Sequence, residues 1–383
     1  MSVRRVPLYK IFWDQDDVDR VSEVIKQGMS WATGPKVDEF EQIVAKYLGR
    51  KYGVAFNSGT SGLHAILLAY GIKSGCEVIV PSFTFIATAN SVLFCGGRPV
   101  FADIEDKTYG LDPEDVERRV TRKTKAIMPI HYGGGACMVN ELKEVAEDHK
   151  LLLIEDAAES LGATINGKKV GSFGDAAALS FCGNKVITTG EGGMIVTDER
   201  DVYEKLKLIR SHGRVETEDY FSSSLMGEYV TLGYNWRMSN IIGALGISQM
   251  AKLEKAIAMR RKNAEYMTER FSKARGIAPP NSPIGHRHVY QMYPVQIEKG
   301  ARIRDTLQKH LSEKGVTTKA YFSPVHLTQF YRKEFGFAGG ELPQTERLSE
   351  RVLSLPIYPT MTKDEMDYVI GNVKEFLEKS SPR

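Results

Sequence analysis

Cysteine is scarce and unpaired in this chain. Cys76, Cys95, Cys137 and Cys182 are the four in 383 residues, and no two stand at C-x-x-C spacing. That argues against a disulfide framework or a zinc site and points to a reducing compartment. Long apolar runs are missing as well. No stretch approaches the ~20 apolar residues that a membrane-spanning helix needs, and the opening MSVRRVPLYKIFWDQDD lacks the apolar core of a secretory signal. Charge of one sign is also missing. The 51 basic and 48 acidic residues are interspersed and leave a net charge of +3, which argues against a nucleic-acid footprint or a polybasic membrane surface. There is no internal repeat or low-complexity segment. What remains is 42% hydrophobic and 26% charged, the composition of a soluble, cytoplasmic globular protein. Its length suits two domains of unequal size.

Apolar runs and turn residues alternate through the first two thirds. Strands are expected at 54–56, 77–81, 99–104, 126–131, 151–154, 176–181 and 194–196. Helices are expected at 16–28, through Phe40 to Tyr47, and at 63–70, 83–93, 113–120 and 139–149. Strand and helix alternating at this interval predict an α/β domain with a mixed, mostly parallel sheet, whose ligands bind beyond the carboxyl ends of the strands. One long helix is expected from Ser239 to about Ala274, with Arg260, Arg261 and Lys262 on a solvated face. Beyond it, strand 291–297 and helix 303–311 suggest a smaller α+β unit. The expected division is a large domain over 1–250 and a small C-terminal domain over 251–383.

The stretch SFCGNKVITTGEGG at 180–193 places one lysine, Lys185, in an apolar, glycine-bounded turn between two strands. A buried ammonium is costly unless it is paired or neutralised. A lysine that loses its proton is a nucleophile suited to a Schiff base with an aldehyde; a lysine reaching water from a loop is the ordinary alternative. Three further segments shift the balance. After strand 54–56 comes Asn57-Ser58-Gly59-Thr60-Ser61-Gly62 and then a helix, a small-residue turn able to cradle phosphate, although Thr60 or Ser61 could simply cap the helix. Strand 151–154 ends in Glu155-Asp156, and Asp156 could equally be a helix cap. The strand at 77–81 runs into an aromatic turn with Phe83 and Phe85, both also suited to core packing. Pyridoxal phosphate asks for this combination: a lysine for its aldehyde, a carboxylate for its pyridine nitrogen, donors for its phosphate and a flat partner for its ring. The chain offers Lys185, Asp156, the Gly59-Thr60-Ser61 turn with Ser180, and Phe85 or Phe83.

With these motifs in hand, the sequence resembles the DegT/DnrJ/EryC1/StrS sugar aminotransferases, fold-type I pyridoxal phosphate enzymes. The resemblance runs from Trp31 to about Val369. It rests on NSGTSGLHAILLA at 57–69, PSFTFIATAN at 81–90, IEDAAESLGA at 154–163, SFCGNKVITTGEGG at 180–193 and GYNWRMSNIIGALGISQ at 233–249. It implies Lys185 as the Schiff-base lysine, Asp156 as the pyridinium partner, Phe85 as the stacking ring, and Thr60, Ser61 and Ser180 as phosphate ligands. Glu159 matches a position beside the cofactor. Asn235 matches an asparagine that reaches the phosphate in the neighbouring subunit, which implies a homodimer with shared sites. Members with histidine in place of the lysine are dehydratases, so Lys185 favours transamination. The implied substrates are a nucleotide-linked keto-sugar and an amino-acid donor, L-glutamate. The GNKVITTGEGG form, Glu159 and the segment Tyr321 to His326 look most like members that aminate C4 of 4-keto-6-deoxy sugars, the GDP-perosamine synthase group, with C3 amination the alternative. Tyr321 and His326 are candidate substrate contacts. The segment His131 to Cys137 departs from the family's usual His-x-Tyr-Gly form, and His131 is a further substrate candidate.

Two other readings compete. Gly133-Gly134-Gly135, with Glu155 twenty residues on, suggests a dinucleotide oxidoreductase, but Met138 stands where the third glycine of that fingerprint belongs. A non-catalytic regulatory or binding protein would leave the lysine, aspartate and phosphate turn together without a role.

Overall fold

The computed structural model describes residues 4–215 and 227–380. In chain order the strands of the large sheet and its hairpin are β1 (Tyr52–Phe56), β2 (Glu77–Pro81), β3 (Arg98–Ala102), β4 (Thr124–Ile127), β5 (Leu152–Asp156), the short pair β6 (Thr164–Ile165) and β7 (Lys168–Lys169), β8 (Ala176–Ser180) and β9 (Gly193–Thr197). Seven of them form one sheet in the order β1-β9-β8-β5-β4-β2-β3. The neighbours from β8 through β3 are parallel, and only β9 runs against β8 and β1. This is the mixed, mostly parallel sheet expected from the alternation of segments.

Alternate residues of each strand feed opposite cores, as the pleat requires. Ile79, Ile127, Leu153, Ala177 and Val196 pack with Phe40, Val44 and Leu142 on one side. Val78, Val80, Ala126, Ile154, Ala178 and Ile195 pack with Leu63, Ile66, Val92 and Leu206 on the other. Helices therefore cover both faces, which is why the strands read as continuous apolar runs.

A second, antiparallel sheet holds β10 (Ile277–Ala278), β12 (Tyr293–Ile297) and β13 (Val352–Leu355), while β11 (His286–Arg287) joins β6. Its core gathers Met267, Phe271, Tyr293, Val295, Leu307, Leu353, Val369 and Val373. Val6 belongs to the same core and bridges to Val316, so the N-terminal segment is part of this unit in space. The two cores part along one helix, Leu253–Phe271: Leu253, Ala256 and Ile257 face the first, and Ala264, Met267 and Phe271 the second.

Two expectations are corrected here. The helix expected from Ser239 to Ala274 is two helices, Asn240–Ala251 and Leu253–Phe271, broken at Lys252. The ammonium of Lys252 reaches Asp14 at 2.5 Å and Asp17 at 2.7 Å, which ties the break to the first helix. Arg260 is not on a solvated face. It is fully buried, and its guanidinium donates to the carbonyls of Tyr290 at 3.0 Å and Ile357 at 3.2 Å. Hydropathy alone could not reveal a cation buried to satisfy backbone carbonyls.

Candidate active site at the carboxyl end of the sheet

Strand register places the sequence motifs side by side. Gly193 pairs with Phe56 on one side and with Ser180 on the other, so the turn after β1 lies beside the end of β8. Asp156, the last residue of β5, pairs with Ala178. The turn after β1 starts a helix, Gly59–Ala69, earlier than the apolar pattern indicated. Its cap is Ser58, which accepts the Ser61 amide at 3.1 Å, rather than Thr60 or Ser61. The first amides of such a helix have no acceptor within it and carry the positive end of its dipole. The approach around this turn is close. A Cβ at Gly193 would sit 2.4 Å from the Ser58 carbonyl, and one at Gly59 would meet the Ser180 Cβ at 3.2 Å. Glycine at both positions lets the turn and Ser180 close on the same small space.

Lys185 sits in the β8–β9 hairpin, its amide bonded to the Cys182 carbonyl at 3.0 Å. Its side chain is 14% exposed, and its Nζ lies 3.7 Å from Glu159 Oε1. The other oxygen of Glu159 accepts the Gly133 amide at 2.9 Å. Burial pushes the Glu159 carboxyl above its ordinary value, and the lysine charge offsets only part of that. Asp156 is buried in the same way. Its Oδ2 accepts the Thr88 hydroxyl at 2.7 Å and its Oδ1 the Ala158 amide at 3.2 Å. Burial again raises its pKa, more than Thr88, Ala158 and the nearby charges of Lys185 and His131 lower it. A carboxylate held this short of donors is one that a protonated nitrogen would stabilise strongly.

The two phenylalanines separate cleanly. Phe83 is fully buried against Tyr109 and Tyr132, whereas Phe85 is 58% exposed, with its ring 6.3 Å from that of Phe322. Phe85 is therefore the aromatic with a face to offer. Asn235 is exposed, and the residues beside it, Tyr234 and Trp236, stack at 3.9 Å and pack on His64 of the cradle helix. The Trp236 carbonyl accepts the Asn57 amide, which fixes that motif against the phosphate turn. Tyr321 is half-buried. Its carbonyl accepts the Tyr132 hydroxyl at 2.7 Å, and its ring hydroxyl lies in the field of Glu159.

Two candidates are overturned by their surroundings. His131 is fully buried, with Nε2 3.0 Å from Glu155 and Nδ1 accepting the Cys137 amide at 3.2 Å. His326 is also fully buried, held between Ser82 and Glu346. Neither imidazole has a surface left for a sugar, because each is used to satisfy groups inside the protein. Sequence reasoning missed Thr88, the hydroxyl donor to Asp156. The signal was its place one helical turn after Thr84 in the PSFTFIATAN motif.

A sequence model of the DegT/DnrJ/EryC1/StrS aminotransferase family matches residues 13–374. The chain belongs to that family. It is 38% identical over 366 residues to GDP-perosamine synthase of Caulobacter vibrioides, covering 95% of this chain and 96% of that protein. Among solved structures it is similar to Helicobacter pylori PseC, an aminotransferase involved in pseudoaminic acid biosynthesis, with a TM-score of 0.92, 28% identity, and 98% and 100% of the two chains covered. It is equally similar in fold to the PLP form of the putative sugar aminotransferase Spr1654 of Streptococcus pneumoniae, at TM-score 0.92 and 25% identity over 99% and 100% of the chains. As a member, this chain is a pyridoxal phosphate-dependent sugar aminotransferase. Its own residues fit the cofactor. The turn after β1 brings helix-start amides beside Ser180, no cationic donor among the described residues bonds Asp156, Lys185 is nearly buried beside Glu159, and the ring of Phe85 is largely exposed.

Proposed function

We propose that the enzyme transfers the amino group of L-glutamate to a nucleotide-linked 4-keto-6-deoxyhexose, in a homodimer whose sites are shared, within a reducing cytoplasm. The observation that carries the reading is the meeting of Lys185, Glu159 and Asp156 at one end of the sheet, with the lysine ammonium 3.7 Å from Glu159. Bound there, pyridoxal phosphate supplies an electron sink and carries the amino group between donor and acceptor. Thr60, Ser61, Gly59 and Ser180 bind its phosphate, and Phe85 orients its ring. Asp156 keeps a proton on the pyridine nitrogen. The Nζ of Lys185 would take the proton from the donor's α-carbon and pass it to the cofactor's C4′ carbon, then make the same transfer in reverse for the acceptor, with Glu159 holding the ammonium in reach. Asn235 completes the phosphate site of the partner subunit. Met29 and Trp31 stay exposed on a single chain, apolar side chains that a second copy would cover.

Support for a bulky, nucleotide-linked acceptor comes from a cavity of about 1080 Å³ beside the Lys185 hairpin. Thr188, Gly190, Tyr9, Trp13, Lys319 and Tyr321 are among its walls. Its aromatic faces and lysine suit a base and a diphosphate, and Tyr321 connects it to the Glu159 side. The relatives named GDP-perosamine synthase favour C4 as the position aminated. Incubating the enzyme with glutamate and a panel of 3-keto and 4-keto nucleotide sugars, and locating the new amine by NMR, tests this. A 4-amino product is expected. Amination only at C3 would overturn the position and leave the cofactor chemistry standing.

A further inference from the structure

Ser82 follows β2 directly and begins the segment that carries Phe83, Thr84 and Phe85. It is fully buried, and it bonds three times to a segment some 244 positions further along the chain. Its Oγ lies 2.6 Å from His326 Nδ1 and accepts the His326 amide at 3.0 Å, while its carbonyl accepts the Val325 amide at 2.9 Å. The far side of the imidazole is engaged too. Nε2 lies 3.1 Å from Glu346 Oε1, and Glu346 in turn accepts the amides of Gly340 at 2.7 Å and Leu342 at 3.3 Å. The Glu346 carboxylate can only accept, so in the neutral ring Nε2 carries the hydrogen and Nδ1 accepts the Ser82 hydroxyl. At its other end the same segment meets the site. Thr84 Oγ1 lies 2.7 Å from Thr88 Oγ1, and Thr88 donates to Asp156. Between these two anchors stands Phe85.

We propose that His326 is a positioning residue: the Ser82–His326–Glu346 latch fixes the ring of Phe85 and the hydroxyl of Thr88, and couples the turn at 338–342 to both. The inference rests on the aminotransferase reading for its consequence, since Phe85 and Asp156 are the groups it places against the cofactor. A histidine is needed rather than any buried polar residue because the two partners lie on opposite sides of one ring. Only a group with a nitrogen at each edge bridges them.

The test has two arms. His326→Leu removes both nitrogens, whereas His326→Asn keeps an acceptor close to the position of Nδ1. In the first arm, amide hydrogen exchange is followed across residues 82–88 in cofactor-free protein. His326→Leu is expected to speed it roughly tenfold, the size of one lost buried hydrogen bond, with His326→Asn recovering most of the protection. In the second arm, the visible circular dichroism and dissociation constant of bound pyridoxal phosphate are measured on the holoenzyme. His326→Leu is expected to weaken binding roughly tenfold and reduce the dichroic band, again with partial rescue by His326→Asn. If His326→Leu does not fold, Ser82→Ala replaces it in both arms and removes only the Oγ. Unchanged exchange in the disrupted variant would overturn the latch. Altered exchange with unchanged dichroism and affinity would overturn its positioning role. Equal damage from Leu and Asn would overturn the role assigned to the Nδ1 contact. A wild-type protein that binds no pyridoxal phosphate would sink the aminotransferase reading instead, and the exchange arm would still decide the latch.

Discussion

Glu155 and Asp156 are adjacent carboxylates on β5, both fully buried, yet their surroundings differ in nearly every respect. Glu155 lies on the side of the strand shared with Leu153. It accepts the amides of Gly171, Phe173 and Gly174 at 2.7, 2.7 and 2.8 Å, and meets His131 at 3.0 Å. Burial alone would raise its pKa, but His131 and these amides outweigh it and hold the carboxyl below the usual range. Asp156, on the opposite side with Ile154, has one hydroxyl and one long amide contact, and burial wins. The difference separates a carboxylate used inside the protein from the one proposed to meet the cofactor. The first is saturated by donors of its own chain and closes a loop; the second is left short, so that a ligand's donor can complete it.

The comparison can be sharpened by variants that act on one side only. The largest effect is expected on the open side from Lys185→Ala. It should fold, with an unchanged circular dichroism spectrum, and lose at least roughly a thousandfold in turnover, because no other base occupies its place. Near wild-type turnover would remove Lys185 from the chemistry. Asp156→Asn should cost about a hundredfold in turnover while leaving the urea midpoint level or raised, since it removes an ionisable group that burial disfavours. A variant that is fully active, or one that fails by unfolding, would erase the contrast with its neighbour.

Glu155→Gln should do the reverse. Its expected cost is about 3 kcal/mol in stability, the scale of breaking a buried charged contact, with turnover per folded molecule retained. Unaltered stability would show that the loop at 171–174 does not depend on it. Thr88→Val is a smaller probe, removing the one hydroxyl on Asp156. It should lower stability by about 1 kcal/mol and turnover by roughly tenfold. The smallest effect is in pH. A depressed folded pKa makes Glu155 stabilising above its unfolded value and lets that stabilisation fade as pH falls through the folded value. A raised one makes the Asp156 contribution present below its unfolded value and lost as pH rises through the folded one. Urea titrations of cofactor-free protein should therefore show the gap between wild type and Glu155→Gln narrowing toward acid. Over the same range the advantage of Asp156→Asn should grow with rising pH. Parallel curves for both variants would mean that the two carboxylates are alike.

What the sequence by itself determined is the class of fold, the family, and which groups are proposed for the site. Alternating apolar segments and turn residues dictate an α/β sheet because each segment's local preference agrees with its final place. Lys185, Asp156 and the turn at 57–62 stand out because each breaks the rule for its surroundings. The tertiary structure decided everything that depends on which face a side chain meets. Phe83 and Phe85 read alike in sequence, and only the packing of Tyr109 and Tyr132 on one of them leaves the other exposed. His131, His326 and Arg260 read as polar residues open to ligand or solvent, yet all three are buried because backbone and side-chain groups brought from far along the chain need their hydrogen bonds. Local pattern carries no information about a partner that distant, and burial of a polar group is settled only when that partner arrives.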